Sequence, residues 1–300
     1  MEATPEHGTT ADGSHASTPR PTPSSSVAPQ HAMASTCPTC AGSSGAAFVY
    51  ALGRIEPRFP SIGVEKEFAQ IVARADSKGK TDREMMHAVL ADRENRYLAR
   101  QLCWVLTIQG LETYLLTSRD PVDLDLLVEA VRPMPRPTDL DVVIGDLGPM
   151  APPEMCNGLM VPTVVFDQIY SFDRDALIKT IPRPAKVNAK DFQAAAGELF
   201  DRILQLTDNA SATDENRALN YLSVRYPAIY AKTAEQFDAG ASLSAVEVRP
   251  SPLSGVRHIV EVVFSYTQRA TDVTDKFFTR VDVSEEFPFL VTKLSPYFDR

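Results

Sequence analysis

The chain has 300 residues, of which 44% are hydrophobic and 23% charged, and its formal net charge is −9. These values fit a soluble globular protein of one large domain or two smaller ones, and the acidic balance disfavours general attraction to nucleic acid or anionic membranes. No stretch approaches 18 uninterrupted apolar residues, and no basic segment followed by an apolar one opens the chain, so the sequence predicts neither a membrane span nor a signal peptide, and a cytoplasmic protein.

Residues 1–36 are rich in Ser, Thr, Pro, Ala and His and hold almost no large apolar side chains. Such a segment cannot offset its ordering entropy by burial and is expected to be a disordered tail, leaving 37–300 as the folded domain. His7, His15 and His31 fall in that tail, which removes three of the five histidines from any preformed site. His7-Gly8-Thr9 matches the histidine motif of subtilisin-like proteases, but no Gly-Thr-Ser nucleophile segment accompanies it, so the match is read as chance.

Phe48 to Leu52 reads as a first strand running into Gly53–Pro60, a Pro-punctuated loop. Val64 to Asp76 carries apolar residues at helical spacing, with Ser61 in the N-cap region. Thr81-Asp82-Arg83-Glu84 has the capping-box pattern and should open a short helix, with further helix around Tyr97 and Leu98. Trp104 to Ile108 and Thr113 to Leu116 are β-like runs joined by Gln109-Gly110, a hairpin signal. Pro121 begins an amphipathic helix to Val131. Strands follow at Leu140–Ile144 and at Val161–Tyr170, where Pro162 inside the run predicts an edge or a bulge. Lys190–Leu206, Asp214–Tyr226 and Ile229–Phe237 form a helical block broken at Pro227. Strands near Ala245–Val248, Ile259–Tyr266, Lys276–Val283 and Phe289–Lys293 close the chain. Alternation in Val260–Phe264 and Phe278–Val283 predicts half-buried antiparallel strands. Strands, then helices, then strands reads as α+β, with mixed or antiparallel sheets and a helical block in a single large domain.

The chain has 4 cysteines: Cys37 and Cys40 in a Cys-Pro-Thr-Cys turn, Cys103 in an apolar run and Cys156 before Asn157-Gly158. A structural zinc ion takes four such donors, a CxxC turn supplies two from one bend, and the Gly and Asn that follow the turns allow positive φ. Cysteine count matches ligand count, so a structural zinc held by Cys37, Cys40, Cys103 and Cys156 is the expectation. Two other readings stay beside it: a cysteine in an apolar run also serves as core filler, and a CxxC also serves as a redox pair. Structural disulfides are not expected without a secretory signal.

Several strings resemble the conserved domain of unknown function at the C-terminus of PatA- and PatG-type cyanobactin maturation proteases. They are Val49–Pro60, Val64–Gln70, Pro153–Met160, Phe166–Asp173 and Glu286–Val291, so the likeness extends over about residues 37–300. The resemblance implies a place in the biosynthesis of ribosomally made, post-translationally modified peptides, with a precursor peptide or a pathway enzyme as partner. In that family the domain usually follows a subtilisin-like protease. The protease is missing here, which implies a stand-alone module acting in trans.

No residue constellation names a reaction. Arg54, Glu56 and Arg58, expected on one loop, suit a clamp for a carboxylate or acidic peptide, or a solvated ion-pair cluster. Asp167 and Asp173 suit acid/base work or capping. Tyr221, Arg225, Tyr226 and Tyr230 suit an interface or core packing. His87 and His258 have no serine or acid beside them in sequence, and neither a P-loop nor a GxGxxG is present. The expected function is therefore a non-catalytic, zinc-stabilised interaction module, the alternative being a peptide-modifying enzyme with an Arg/carboxylate site.

Overall fold

The first strand runs further than its apolar core requires. In the computed structural model, which describes residues 47–75, 78–206 and 211–298, β1 spans Phe48–Arg58. It therefore includes Gly53–Arg58, which the prolines marked as a loop. Pro57 is tolerated because β1 changes neighbours midway. Residues 48–53 pair with one strand and 54–58 with another, so Pro57 has a single neighbour and its missing N–H falls on the unpaired side. The tail expected over residues 1–36, and Cys37 and Cys40, lie outside the described residues.

Five strands close a barrel in the order β1-β2-β3-β5-β4, where β2 is Cys103–Ile108, β3 Leu111–Ser118, β4 Asp139–Met150 and β5 Pro162–Asp173. All neighbours are antiparallel except β3 and β5. The Gln109-Gly110 turn has φ of 48° and 85°, the primed geometry that matches strand twist in a two-residue hairpin. Gly145 sits at a bulge against β5, where a Cβ would lie 2.2 Å from Val165 O; only glycine allows the two backbones so close.

Four helices, α1 (Ile62–Arg74), α2 (Asp82–Ala91), α3 (Arg96–Gln101) and α4 (Leu124–Ala130), pack on the core formed by the barrel's inward residues. Ser61 caps α1 and Thr81 closes the expected capping box on α2. Four more follow: α5 (Arg174–Thr180), α6 (Ala189–Leu206), α7 (Asp214–Arg225) and α8 (Ala228–Asp238). They lie in a second core between outward barrel residues such as Tyr50 and Leu52 and a four-stranded antiparallel sheet. That sheet is β6 (Ala241–Pro250), β7 (Ile259–Gln268), β8 (Thr274–Asp282) and β9 (Phe289–Tyr297) in sequence order. Helix α5 was not foreseen: it is seven residues long and is set by Asp173, whose carboxylate accepts from Ala176 N.

The alternating β7 is not half-buried as expected, since Ile259 to Tyr266 is buried on both faces. Its outer face is roofed by arginine side chains. Glu261, only 2% exposed, takes Arg249 on one oxygen at 2.8 Å and Arg280 on the other at 2.6 Å. Arg249 in turn lies over Tyr297, and Arg280 over Phe278. Paired in this way, a buried carboxylate is neutralised, and the apolar stems of the arginines cover the strand.

The change of partner in β1 leaves backbone groups to be satisfied on both of its sides. Toward β4, the ladder ends at Gly53↔Asp141, and the Asp141 carboxylate accepts from Ile55 N at 2.8 Å. Its other oxygen accepts from Arg132 Nη2 at 3.0 Å and Ser171 Oγ at 2.5 Å. Burial pushes this carboxyl's pKa up, against the pull of those donors. Removing it would leave a buried N–H and a guanidinium without their acceptor. Asp141→Ala is therefore expected to lower the unfolding free energy by about 3 kcal/mol in urea titrations. A loss below about 1 kcal/mol, the size of an ordinary exposed pair, would show that the carboxylate is not what seals the barrel here.

Candidate functional site

Alternation along β1 sends Val49, Ala51, Gly53 and Ile55 inward and Tyr50, Leu52, Arg54, Glu56 and Arg58 outward. The outward row starts beneath α6 and α7 and emerges at Arg54. The predicted trio is thus one face of a strand rather than a loop, and it does not converge on a common anion. Arg54 donates to Asp139 O at 3.3 Å and to Pro137 O. Arg58 pairs with Glu112, and Glu56 lies exposed between them.

Where the row emerges there is a cleft of about 510 Å³, within the range of roughly 300–1,000 Å³ typical of ligand clefts. Arg54 and Glu56 line one side, Thr107 and the Gln109-Gly110 turn the other, and Leu204, Ser211 and Asn220 the base. Gln109 Nε2 donates to Leu204 O across it at 2.9 Å. Asn220, 1% exposed, donates Nδ2 to Tyr50 O at 2.8 Å and to Ser211 Oγ at 3.0 Å. Its Oδ1 is buried with no partner among the described residues.

At the far end of the row, Arg58 pairs across the ladder with Cys103. Cys103 and Cys156 are bonded to each other, their Cα atoms 5.9 Å apart. The expectation that disulfides are absent is corrected here: the turn over 152–160 folds back on the start of β2, and both sulfurs enter a small apolar cluster with Val105, Leu115 and Ala151. Among the described residues no group of three or more His, Cys, Asp or Glu is placed to hold a metal ion. Cys37 and Cys40, the other two predicted zinc ligands, lie outside them.

The carboxylates divide. Asp173 caps α5 and accepts from Thr138 Oγ1 at 2.6 Å, which holds its carboxyl below the usual range. Asp167 belongs to a cluster with no local sequence signal. Arg119 pairs with Asp146 and lies 3.5 Å from Asp167, and Glu286 reaches the same place from the β8–β9 loop. That loop is held by buried Arg217, which donates to Val283 O at 2.7 Å and to the carbonyls of Glu285 and Glu286. Desolvation, then the neighbouring Asp167 and Asp146, push Glu286 up to about 7. The four residues are too far apart in sequence for any spacing rule to gather them.

His258, without an acid beside it in sequence, has one in space: Asp214, 2.8 Å from its Nδ1. The serines near it are committed to backbone groups, Ser254 Oγ donating to Ile259 O and Ser284 Oγ accepting from His258 N. Of the tyrosine group, Tyr230 is buried, Tyr221 and Tyr226 are half-buried and Arg225 is exposed. Tyr230 OH donates to Ser223 O, Tyr226 OH accepts from Leu294 N, Tyr221 meets Tyr50 edge-on, and Arg225 lies over Tyr170. No described helix is long and apolar enough to cross a membrane.

Residues 186–297 match a family model described as PatG C-terminal, and so carry a PatG C-terminal-type domain. That span holds α6 to α8 and the four-stranded sheet. A solved structure described as "PatG Domain of Unknown Function" is similar over 84% of this chain and 99% of that one, with a TM-score of 0.69 and 19% identity. At that identity the likeness is one of fold. No curated protein matches this chain.

The raised Glu286 carboxyl makes stability depend on pH in a definite direction. Below its ordinary value of 4.5 it is protonated in both states, and between there and about 7 only the folded state keeps the proton. Stability contributed by that proton is lost as pH rises through this window. Urea unfolding at pH 5 and pH 8 should show Glu286→Gln more stable than wild type at the higher pH and less pH-dependent between the two. An unchanged pH slope would show that Glu286 is not the group responsible.

Proposed function

Taking residues 186–297 as a PatG C-terminal-type domain, we propose that this protein is a non-catalytic accessory module in ribosomal peptide biosynthesis of the cyanobactin kind, binding a precursor peptide or a maturation enzyme. One observation carries the reading: the outward row of β1 passes from beneath the helices into an open, mixed polar and apolar cleft. Such a surface suits recognition, with fixed polar groups set among apolar walls. Purified protein is expected to bind precursor peptide or a pathway enzyme by calorimetry. Absence of binding at about 100 μM, a weak-affinity limit, would end this reading.

The module is also read as zinc-stabilised when its thiols are reduced. Support comes from Cys103 and Cys156, 53 residues apart in sequence, whose sulfurs meet as two donors of one site must. With Cys37 and Cys40 they make a four-thiolate set, the usual ligands of structural zinc. The ion would supply a cross-link, worth on the order of 10 kcal/mol in small peptide folds. Protein purified in reductant without added metal is expected to carry about one zinc per chain by elemental analysis, lost in Cys156→Ser and in Cys37→Ser. Metal-free protein retaining the Cys103–Cys156 bond would overturn this.

A second reading, a peptide-modifying enzyme, is favoured by one observation: Glu286 titrates near neutrality beside Asp167 and Arg119, as an acid/base group would. Turnover of a precursor peptide that disappears in Asp167→Ala or Arg54→Ala would select it over the first.

A further inference from the structure

The cleft lies along a stretch of β1's edge that no strand among the described residues pairs. Tyr50 donates its N–H to Ser211 O at 3.3 Å and accepts Asn220 Nδ2 on its carbonyl, on the side that faces β2. Backbone groups alternate sides along a strand, so Leu52 turns its N–H and C=O the same way. Pairing with β2 begins only at Arg54↔Thr107, so Leu52, two residues earlier, has no partner on β2. The hairpin turns away at Gln109-Gly110, and the cleft is the gap left between them. A buried acceptor, Asn220 Oδ1, stands unpartnered at the base of that gap. An unpaired strand edge and a buried lone acceptor have the same deficit, which is missing main-chain partners.

We propose that an extended peptide segment adds to β1 in this cleft. Its main chain would exchange hydrogen bonds with Leu52 N–H and C=O. Alternate side chains then face the apolar walls of Leu140, Leu204 and Ile108, while Arg54 and Glu56 flank the opening. Backbone pairing supplies affinity and the walls supply selectivity, as in other strand additions. This deepens the interaction-module reading and rests on it for the source of the peptide.

The test uses the full chain, 15N-labelled, with acetyl-Ala-Leu-Ala-amide as probe and its analogue N-methylated at Leu. Binding is expected within the range up to about 10 mM, with shifts and slowed hydrogen exchange at the Leu52 amide. The N-methylated peptide should bind at least about tenfold more weakly, the loss of one main-chain hydrogen bond. Thr107→Trp, which fills the cleft from a partly exposed position, should abolish binding while leaving the circular dichroism spectrum unchanged. No binding, equal binding of the two peptides, binding to Thr107→Trp as to wild type, or an unmoved Leu52 amide would each overturn the proposal. The same variant separates it from the broader reading. Precursor binding that survives Thr107→Trp sinks strand addition and leaves the module. Probe binding without any precursor or enzyme binding leaves strand addition and sinks the module.

Discussion

Everything in this fold hangs on β1 serving two neighbours in succession. Closing five strands into a barrel requires stagger, and the stagger is taken up in one strand, whose first half pairs with β4 and second half with β2. Each half then has a bare side. Buried backbone groups are costly to leave unpaired, and non-strand groups fill the bare sides at two positions. Asp141 takes Ile55 N on the β4 side, and Ser211 and Asn220 take both polar groups of Tyr50 on the β2 side. The second seal is supplied by α7 and the residue leading into it, so the helical layer is bound to the barrel by backbone pairing as well as by packing.

Charged groups play a comparable part on the other layer. The four-stranded sheet has its inner face on the helices and no third layer of described elements on its outer face, yet β7 is buried there. Arginines from β6 and β8 lie over aromatic rings and meet on Glu261 between them. Arg257 pairs with Asp282 farther along the same face. A buried carboxylate is a poor source of stability in itself, but the pairing specifies which strand lies between which. One slip in register would send Glu261 to the apolar inner face.

Local chemistry was legible in the sequence, and long-range closure was not. Thr81 with Glu84, Gln109-Gly110 and Pro227 each fix a conformation within a few residues, and each stands where the pattern placed it. Pro57 misled because its cost depends on whether a strand lies on its N–H side, which topology decides. The arginine roof over β7 hid behind an alternating pattern that ordinarily means solvent on one face. Asp214 beside His258, and Glu286 beside Asp167, are meetings of distant segments with no spacing to betray them. The cysteines lie between these cases. Cys103 and Cys156 do meet, as their shared chemistry implied, while the bond between them depends on a turn whose course no motif announced. Of the candidate site, the residue types on β1 were visible, but the cleft beside them was not. Its lining includes Ser211 and Asn220, which come from more than 150 residues away to cap Tyr50, Asn220 lying 170 residues from it in sequence.

That capping also explains why Leu52 stands out. On the two sides of β1 the groups left by the partner exchange are closed at Tyr50 and at Ile55 by groups drawn from other elements. At Leu52, between them, no β2 residue follows, and Asn220, which lines the same cleft, has its donor engaged by Tyr50 and Ser211. A strand edge held rigid on both flanks has already lost the conformational freedom that binding would otherwise have to remove. In the strand addition proposed above, an incoming main chain would meet an edge ordered in advance, whereas an edge left bare at the end of a strand would first have to be straightened. It is this open centre between closed neighbours, rather than a frayed strand end, that the proposed strand addition would use.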